Sequence, residues 1–161
     1  MTLPNLSQMR IAMLMGAKQL LRLEVREHGG QNRGEIVDMI IRRQGGKPGP
    51  AGPWCAAFWA ELYECACGVT GVKPAFDPGM STSVNVRRAK LTGKLTDSPM
   101  PGDAACFKGD DYGTGYIHTG MVISKPQANG DYMTIEGNVG NRVKLVYRNT
   151  SRNPATFISC E

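Results

Sequence analysis

The sequence predicts an α+β domain in which helices come first and a small antiparallel β-sheet follows. Apolar residues recur at helical spacing in the first half of the chain, whereas apolar and polar residues alternate in the second half. Turn signals such as Asn129-Gly130 and Gly140-Asn141 separate the alternating segments. The 161 residues fit one domain, 1–161, and that length can bury a core without disulfide bonds. Helices followed by a run of strands form an α+β arrangement.

Four helices are expected in the first half. A loop, 45–53, lies between the second and third, and seven of its nine residues are Gly or Pro, which excludes helix and central strand. The third helix is expected to begin directly after this loop. The expected helices run from about Ser7 to Glu27, Gly34 to Arg43, Trp54 to Gly68 and Ser83 to Lys90.

Five strands are expected in the second half, where period-two alternation places one face of each strand on a core. The expected strands are Ala104–Phe107, Ile117–Ser124, Tyr132–Asn138, Arg142–Arg148 and Thr156–Cys160.

Composition excludes several classes of protein. The apolar runs are far too short for a membrane span, so we expect no stable membrane insertion. Net charge is +5, but Lys and Arg form only isolated pairs, so we expect no nucleic acid as partner. The apolar stretch 11–17 is interpreted as an amphipathic helix and not as a signal peptide, because Lys18 follows it at once and no cleavage site appears.

The five cysteines do not form a metal site or a disulfide framework. Their number is odd, and Cys65 and Cys67 point roughly 200° apart on a helix, so these two cannot bridge. Only two histidines could complete a zinc site, and the spacing does not fit one. Asp110-Asp111 does not match the spacing of a calcium-binding EF-hand loop. We therefore expect no metal and no cofactor.

Cys55 is the candidate nucleophile. It follows the Gly/Pro-rich loop and opens an apolar helix, where free N–H groups and partial positive charge lower a thiol pKa and stabilise an oxyanion. Taken alone, this position is explained better by a buried cysteine with no chemical role.

His118 and Glu136 complete a possible catalytic set. His118 shares a strand face with Gly120, and the missing side chain of Gly120 leaves room for a partner of the imidazole. Alternation places Thr134, Glu136 and Asn138 on one face, and a carboxylate there could fix the imidazole tautomer. The alternative is that Asn138 or a backbone carbonyl orients His118. Each residue alone has a structural explanation, but the ordered set Cys, His, Glu, Asn is more specific.

Four segments together resemble the CHAP family of papain-like cysteine amidohydrolases and peptidases, many of them from phage lysins. The segments are 53–58 (PWCAAF), 101–104 (PGDA), 118–123 (HTGMVI) and 134–138 (TIEGN), and the resemblance covers about residues 24–157. It implies Cys55 as nucleophile, His118 as general base, Glu136 as its orienting partner and Asn138 as a supporting polar group. It also implies helices packed on a half-barrel sheet with the cleft between them.

Two features depart from the family pattern. Ile117 stands where the family often has Gly, which predicts a narrower cleft edge, and the loop 45–53 lacks the carboxylates of the calcium-binding members. Trp54 is a candidate substrate-binding residue or a core residue. Arg148 and Arg152 are interpreted as solvated strand-end residues, with contact to acidic groups of a peptide stem as the alternative.

The expected function is cleavage of an amide bond in peptidoglycan, either the muramoyl–alanine bond or one in the peptide stem or cross-bridge. The alternatives are a silent wall-binding or virion structural module on the same fold, and a protein or isopeptide substrate. We expect a monomer made in the cytoplasm without a signal peptide, which reaches the cell wall by release, injection or a holin-type pore.

Overall fold

The computed structural model describes residues 6–109 and 115–161 and has an α+β architecture. The expectation for Asp110-Asp111 lies outside these residues. In the described part, no helix is long and apolar enough to cross a lipid bilayer. The helices are α1 Gln8–Arg22, α2 Glu35–Arg43, α3 Cys55–Thr70 and α4 Thr82–Leu91; the strands are β1 Leu95–Thr96, β2 Ala104–Lys108, β3 Tyr116–Val122, β4 Asp131–Glu136, β5 Lys144–Asn149 and β6 Ala155–Ile158.

The first helix is shorter than the sequence predicts, because the chain leaves α1 to pair with a distant segment. Glu24 adopts a left-handed conformation with φ 52°, and Val25 then accepts a backbone hydrogen bond from Val143. Arg26 forms a β-bridge with Arg142. This long-range pairing ends the helix before its apolar periodicity ends. Strand β1 was not predicted, since two residues carry no readable alternation.

The strands form one antiparallel sheet in the order β1-β6-β2-β3-β4-β5. One face packs on the helices through Ala104, Cys106, Met121, Ile135 and Ile158, which belong to the main core. The opposite face carries a second, smaller core around Ala105, Phe107, Val122 and Tyr132. The alternation predicted for β3 is therefore confirmed, because Met121 and Val122 lie in different cores.

The start of α3 packs tightly against the chain that leaves β4. A Cβ atom on Gly137 would lie 2.6 Å from Cβ of Phe58 and 2.8 Å from the Trp54 ring, so the two backbones approach closely only because residue 137 is glycine. This contact brings Cys55, the first residue of α3, to the end of β4.

Candidate active site

Cys55 lies in the first turn of α3 and is almost fully buried, with 9% of its surface exposed. His118 and the backbone of Thr119 and Ala56 lie close enough to the thiol to form hydrogen bonds that affect its pKa. Burial raises the pKa of the thiol, but these hydrogen bonds and the charge of His118 outweigh burial, so the pKa falls below its ordinary value. The arrangement favours a thiolate at this position.

The other four cysteines differ from Cys55 in this respect. Burial is the largest cause that raises the thiol pKa of each, and two of them reach values of about 11 and about 12. They are Cys65, Cys67, Cys106 and Cys160, of which only Cys65 is exposed. Cys55 is thus the one cysteine of the chain that its surroundings activate.

His118, on β3, is held between Cys55 and a buried carboxylate. Its Nε2 lies 2.7 Å from Oε2 of Glu136, which leaves Nδ1 as the ring nitrogen available to the thiol. Burial lowers the pKa of the imidazole, but hydrogen bonds to Cys55 and Glu136 outweigh burial and raise the pKa to about 9. The geometry therefore favours an imidazolium beside a thiolate.

Glu136, at the end of β4, has no exposed surface. It accepts hydrogen bonds from His118, from the Thr134 hydroxyl at 2.5 Å and from the guanidinium of Arg148. Burial raises the pKa of the carboxyl, but these donors outweigh it and lower the pKa to about 2. Glu136 is thus ionised throughout the neutral range, as a residue that orients an imidazole must be.

Arg148 is the residue of this site that sequence reasoning missed, since we interpreted it as solvated. Antiparallel pairing of Arg148 with Tyr132 places it on the same face of the sheet as Glu136. Its guanidinium donates to both oxygens of the carboxylate, at 2.7 and 2.5 Å. Alternation within 142–148 indicated its face, but the register between β4 and β5 was needed to bring the two charges together.

Gly120 makes room for the carboxylate. A Cβ atom at this position would lie 2.7 Å from Cγ and 3.0 Å from Cδ of Glu136. The sequence-based interpretation that Gly120 leaves space for a partner of His118 agrees with this geometry.

Gly120→Ala should therefore reduce any activity of this site, because the added methyl group must displace Glu136 from the imidazole. We expect kcat to fall by roughly 10- to 100-fold. The upper end of this range is the smallest effect that is typical of losing an acid–base group. The comparison is kcat at constant pH for purified variants.

Gly68→Ala is the matched control, since it lies in α3 with nothing within 4 Å of the added atom. It should keep full activity and gain roughly 1 kcal/mol of helix stability. Equal kcat for Gly120→Ala and the unmutated protein would contradict the role given to this glycine.

Asn138 lies at the same groove as His118, but its side chain is hydrogen-bonded to Asn32 and not to the imidazole. Its backbone is left-handed, with φ 62°, and its amide donates to Oδ1 of Asn32 at 3.5 Å. Both His118 and Asn138 line an open groove of about 430 Å³. Asn138 is therefore placed as part of the groove wall, and Glu136 holds the imidazole.

Trp54 is a core residue and does not line the cleft as the substrate-binding expectation required. It has no exposed surface, and its indole N–H donates to Oε1 of Glu27 at 3.0 Å. Its ring packs against the backbone of Gly137, where an added Cβ atom would lie 2.8 Å from the ring. Burial of the whole side chain leaves no surface for a ligand.

Neither Asn32 nor Gln44 offers its side-chain amide as a second oxyanion donor, because each amide is engaged elsewhere. The amide of Asn32 donates to the carbonyl of Gly49 at 3.0 Å. The amide of Gln44 donates to Glu61 and Glu64, at 3.2 and 2.8 Å. The N–H groups at the start of α3 are the oxyanion donors that the geometry offers.

Ile117 forms an edge of the groove and is 55% exposed. Its side chain covers Gly109, where an added Cβ would lie 2.6 Å from Ile117. The narrowing of the cleft edge by Ile117 stays a prediction. Within 6–109 and 115–161, no group of three or more His, Cys, Asp or Glu residues could hold a metal ion.

The chain was compared with protein-family models, with curated proteins and with solved structures. No family model, curated protein or solved structure matches it.

Proposed function

We propose that this chain is a papain-like cysteine amidohydrolase that cuts an amide bond of bacterial peptidoglycan. The observation that carries the proposal is the Cys55 thiol at the start of α3, paired with His118, whose Nε2 lies 2.7 Å from the buried Glu136. A nucleophile, a base within hydrogen-bond reach and a third group that orients the base are the parts needed for acyl transfer.

The reaction proceeds in two halves. The Cys55 thiolate attacks the amide carbonyl, and N–H groups at the start of α3 stabilise the oxyanion. The C–N bond then breaks as the His118 imidazolium gives its proton to the leaving amine, which leaves a thioester on Cys55. In the second half, neutral His118 takes a proton from water, and the hydroxide attacks the thioester. The acid leaves, and Cys55 returns as a thiolate beside an imidazolium.

The charge and shape of the groove support a peptidoglycan substrate. The groove is open, so an extended chain fits it, and the described residues that line it include the cations Lys108 and Arg152 but no carboxylate. Peptide stems carry free carboxylates, which such a wall attracts. The CHAP-like motifs around Cys55, His118 and Glu136 favour the same substrate.

The pH dependence of kcat/KM should be bell-shaped. The reactive pair needs an ionised thiol and a protonated imidazole, so the rate rises as pH passes the lowered pKa of Cys55 and falls as pH passes the His118 pKa of about 9. The two limits belong to the coupled pair. They are measured on a soluble amide substrate at constant ionic strength. A rate that is still rising well above pH 9 would contradict a catalytic imidazolium.

The rival function is a silent wall-binding or virion structural module. Purified sacculi separate the two, because an amidohydrolase releases soluble fragments with new amino groups, whereas a binding module sediments with the sacculi and releases none. Release from sacculi supports the proposal. Binding without release supports the rival, and activity on protein or isopeptide substrates alone would keep the chemistry but change the substrate.

A further inference from the structure

Arg148 makes a two-point contact with the carboxylate that orients His118. Its Nε donates to Oε1 of Glu136 at 2.7 Å and its Nη2 donates to Oε2 at 2.5 Å. The Arg148 side chain is 20% exposed and that of Glu136 is fully buried. Such a planar fork fixes a carboxylate in orientation as well as in charge, which a lysine does not do.

A second route leads from Arg148 to the same imidazole. The centre of its guanidinium lies 4.3 Å from the centroid of the Phe107 ring. Phe107 in turn stacks on His118, with ring centroids 5.9 Å apart and planes inclined by 19°. Arg148 and His118 therefore both contact Phe107 as well as Glu136.

We propose that Arg148 is a positioning residue for the Cys55–His118 pair, which aligns Glu136 through the bidentate ion pair and fixes the imidazole plane through Phe107. The inference rests on the proposed function, since it assigns Arg148 a part in the same site. Arg148 acts through Glu136 and Phe107 and not on substrate.

The charged groups around His118 determine the sign of the effect. Cys55 faces the imidazole from α3, and Glu136 and Arg148 face it from β4 and β5. Tyr132 and Cys106 also lie close, but burial raises the pKa of each to about 12, so both remain neutral. Removal of Arg148 takes a cation from the site and weakens the ionised form of Glu136. The lost cation no longer attracts the thiolate, and the weakened carboxylate stabilises the imidazolium less, so the pKa of Cys55 should rise.

The test is the rate of Cys55 alkylation by iodoacetamide against pH, with the modified residue identified by mass spectrometry. Arg148→Met should move the midpoint upward by roughly 0.5 to 1 unit, less than the 1 to 3 units of a charge in direct contact. Arg148→Lys keeps the charge, so its midpoint should lie near that of the unmutated protein. Its kcat should still fall, because one ammonium group cannot hold both carboxylate oxygens.

Arg152→Met is the matched control for the alkylation profile. Arg152 lines the same groove, but its guanidinium pairs with the Asp131 carboxylate, at 3.7 Å, and not with Glu136. Its removal should leave the midpoint unchanged.

The outcomes separate this inference from the proposed function. Unchanged midpoints in folded Arg148→Met would overturn the inference while Cys55 stays reactive. If that variant does not fold, Arg148→Lys decides: a kcat equal to that of the unmutated protein overturns the positioning role, and a lower kcat at an unshifted midpoint supports it. Failure of Cys55 to alkylate faster than an ordinary thiol in the unmutated protein overturns the proposed function itself.

Discussion

Cys55→Ala should abolish the release of soluble fragments from sacculi and leave the fold intact. The thioester cannot form without the thiol, so we expect a loss of ~10⁴-fold or more, to background, as for other lost nucleophiles. The fold should persist, since the thiol is small and alanine favours the first turn of α3. Fragment release, thermal unfolding and far-ultraviolet circular dichroism are measured on the same preparation.

Cys65→Ala is the matched control for this substitution. It also removes a thiol from α3, but that thiol is exposed, lies beside Glu61 and has a pKa raised to about 11 by burial and by Glu61. Cys65→Ala should therefore retain most activity. Near-normal release by Cys55→Ala, or loss in both variants, would contradict a nucleophilic role that is specific to Cys55.

Substitution of Glu136 should have the second-largest effect, in the order unmutated, Gln, Ala. Glu136→Gln keeps the size and one acceptor oxygen but removes the charge that favours the imidazolium, so kcat should fall by roughly 10²-fold, within the range of acid–base steps. Glu136→Ala also leaves Arg148 without its partner. Breaking a buried ion pair typically costs about 3–5 kcal/mol, and the low end applies here because Arg148 is partly exposed.

Asn138→Ala is measured beside these variants, because Asn138 is the other side chain considered as the partner of His118. Its amide contacts Asn32, at 3.5 Å, so we expect a smaller loss of kcat than in Glu136→Gln. Thermal unfolding of all three variants separates lost stability from lost catalysis. Full activity in Glu136→Gln together with a large loss in Asn138→Ala would transfer the orienting role to Asn138.

Local patterns predicted most of the fold and much of the site. Period two along β3 and β4 placed His118 with Gly120 and Glu136 with Thr134, and the structure brings His118 and Glu136 together across these strands. The Gly/Pro-rich loop predicted the start of α3 within one residue. These features depend on neighbours along the chain, which is why a single sequence reveals them.

The features that were missed depend on distant partners. The sequence alone indicates a solvated strand end for Arg148. The register of β5 against β4 pairs Arg148 with Tyr132 and brings its guanidinium to Glu136. The sequence left Trp54 as either a cleft residue or a core residue, because Glu27, which accepts its indole N–H, lies 27 residues away along the chain. Register and tertiary burial are set by packing of the whole domain, so local periodicity does not contain them.

Digestion of purified sacculi in heavy-oxygen water, followed by mass spectrometry of the fragments, tests the central claim most directly. Hydrolysis through a Cys55 thioester predicts fragments cut at one class of amide bond, with heavy oxygen in each new carboxyl group and a new amine on the partner fragment. Cys55→Ala should yield none of them. The account is contradicted if the unmutated protein binds sacculi but produces no labelled fragments, or if the same labelled fragments appear with Cys55→Ala.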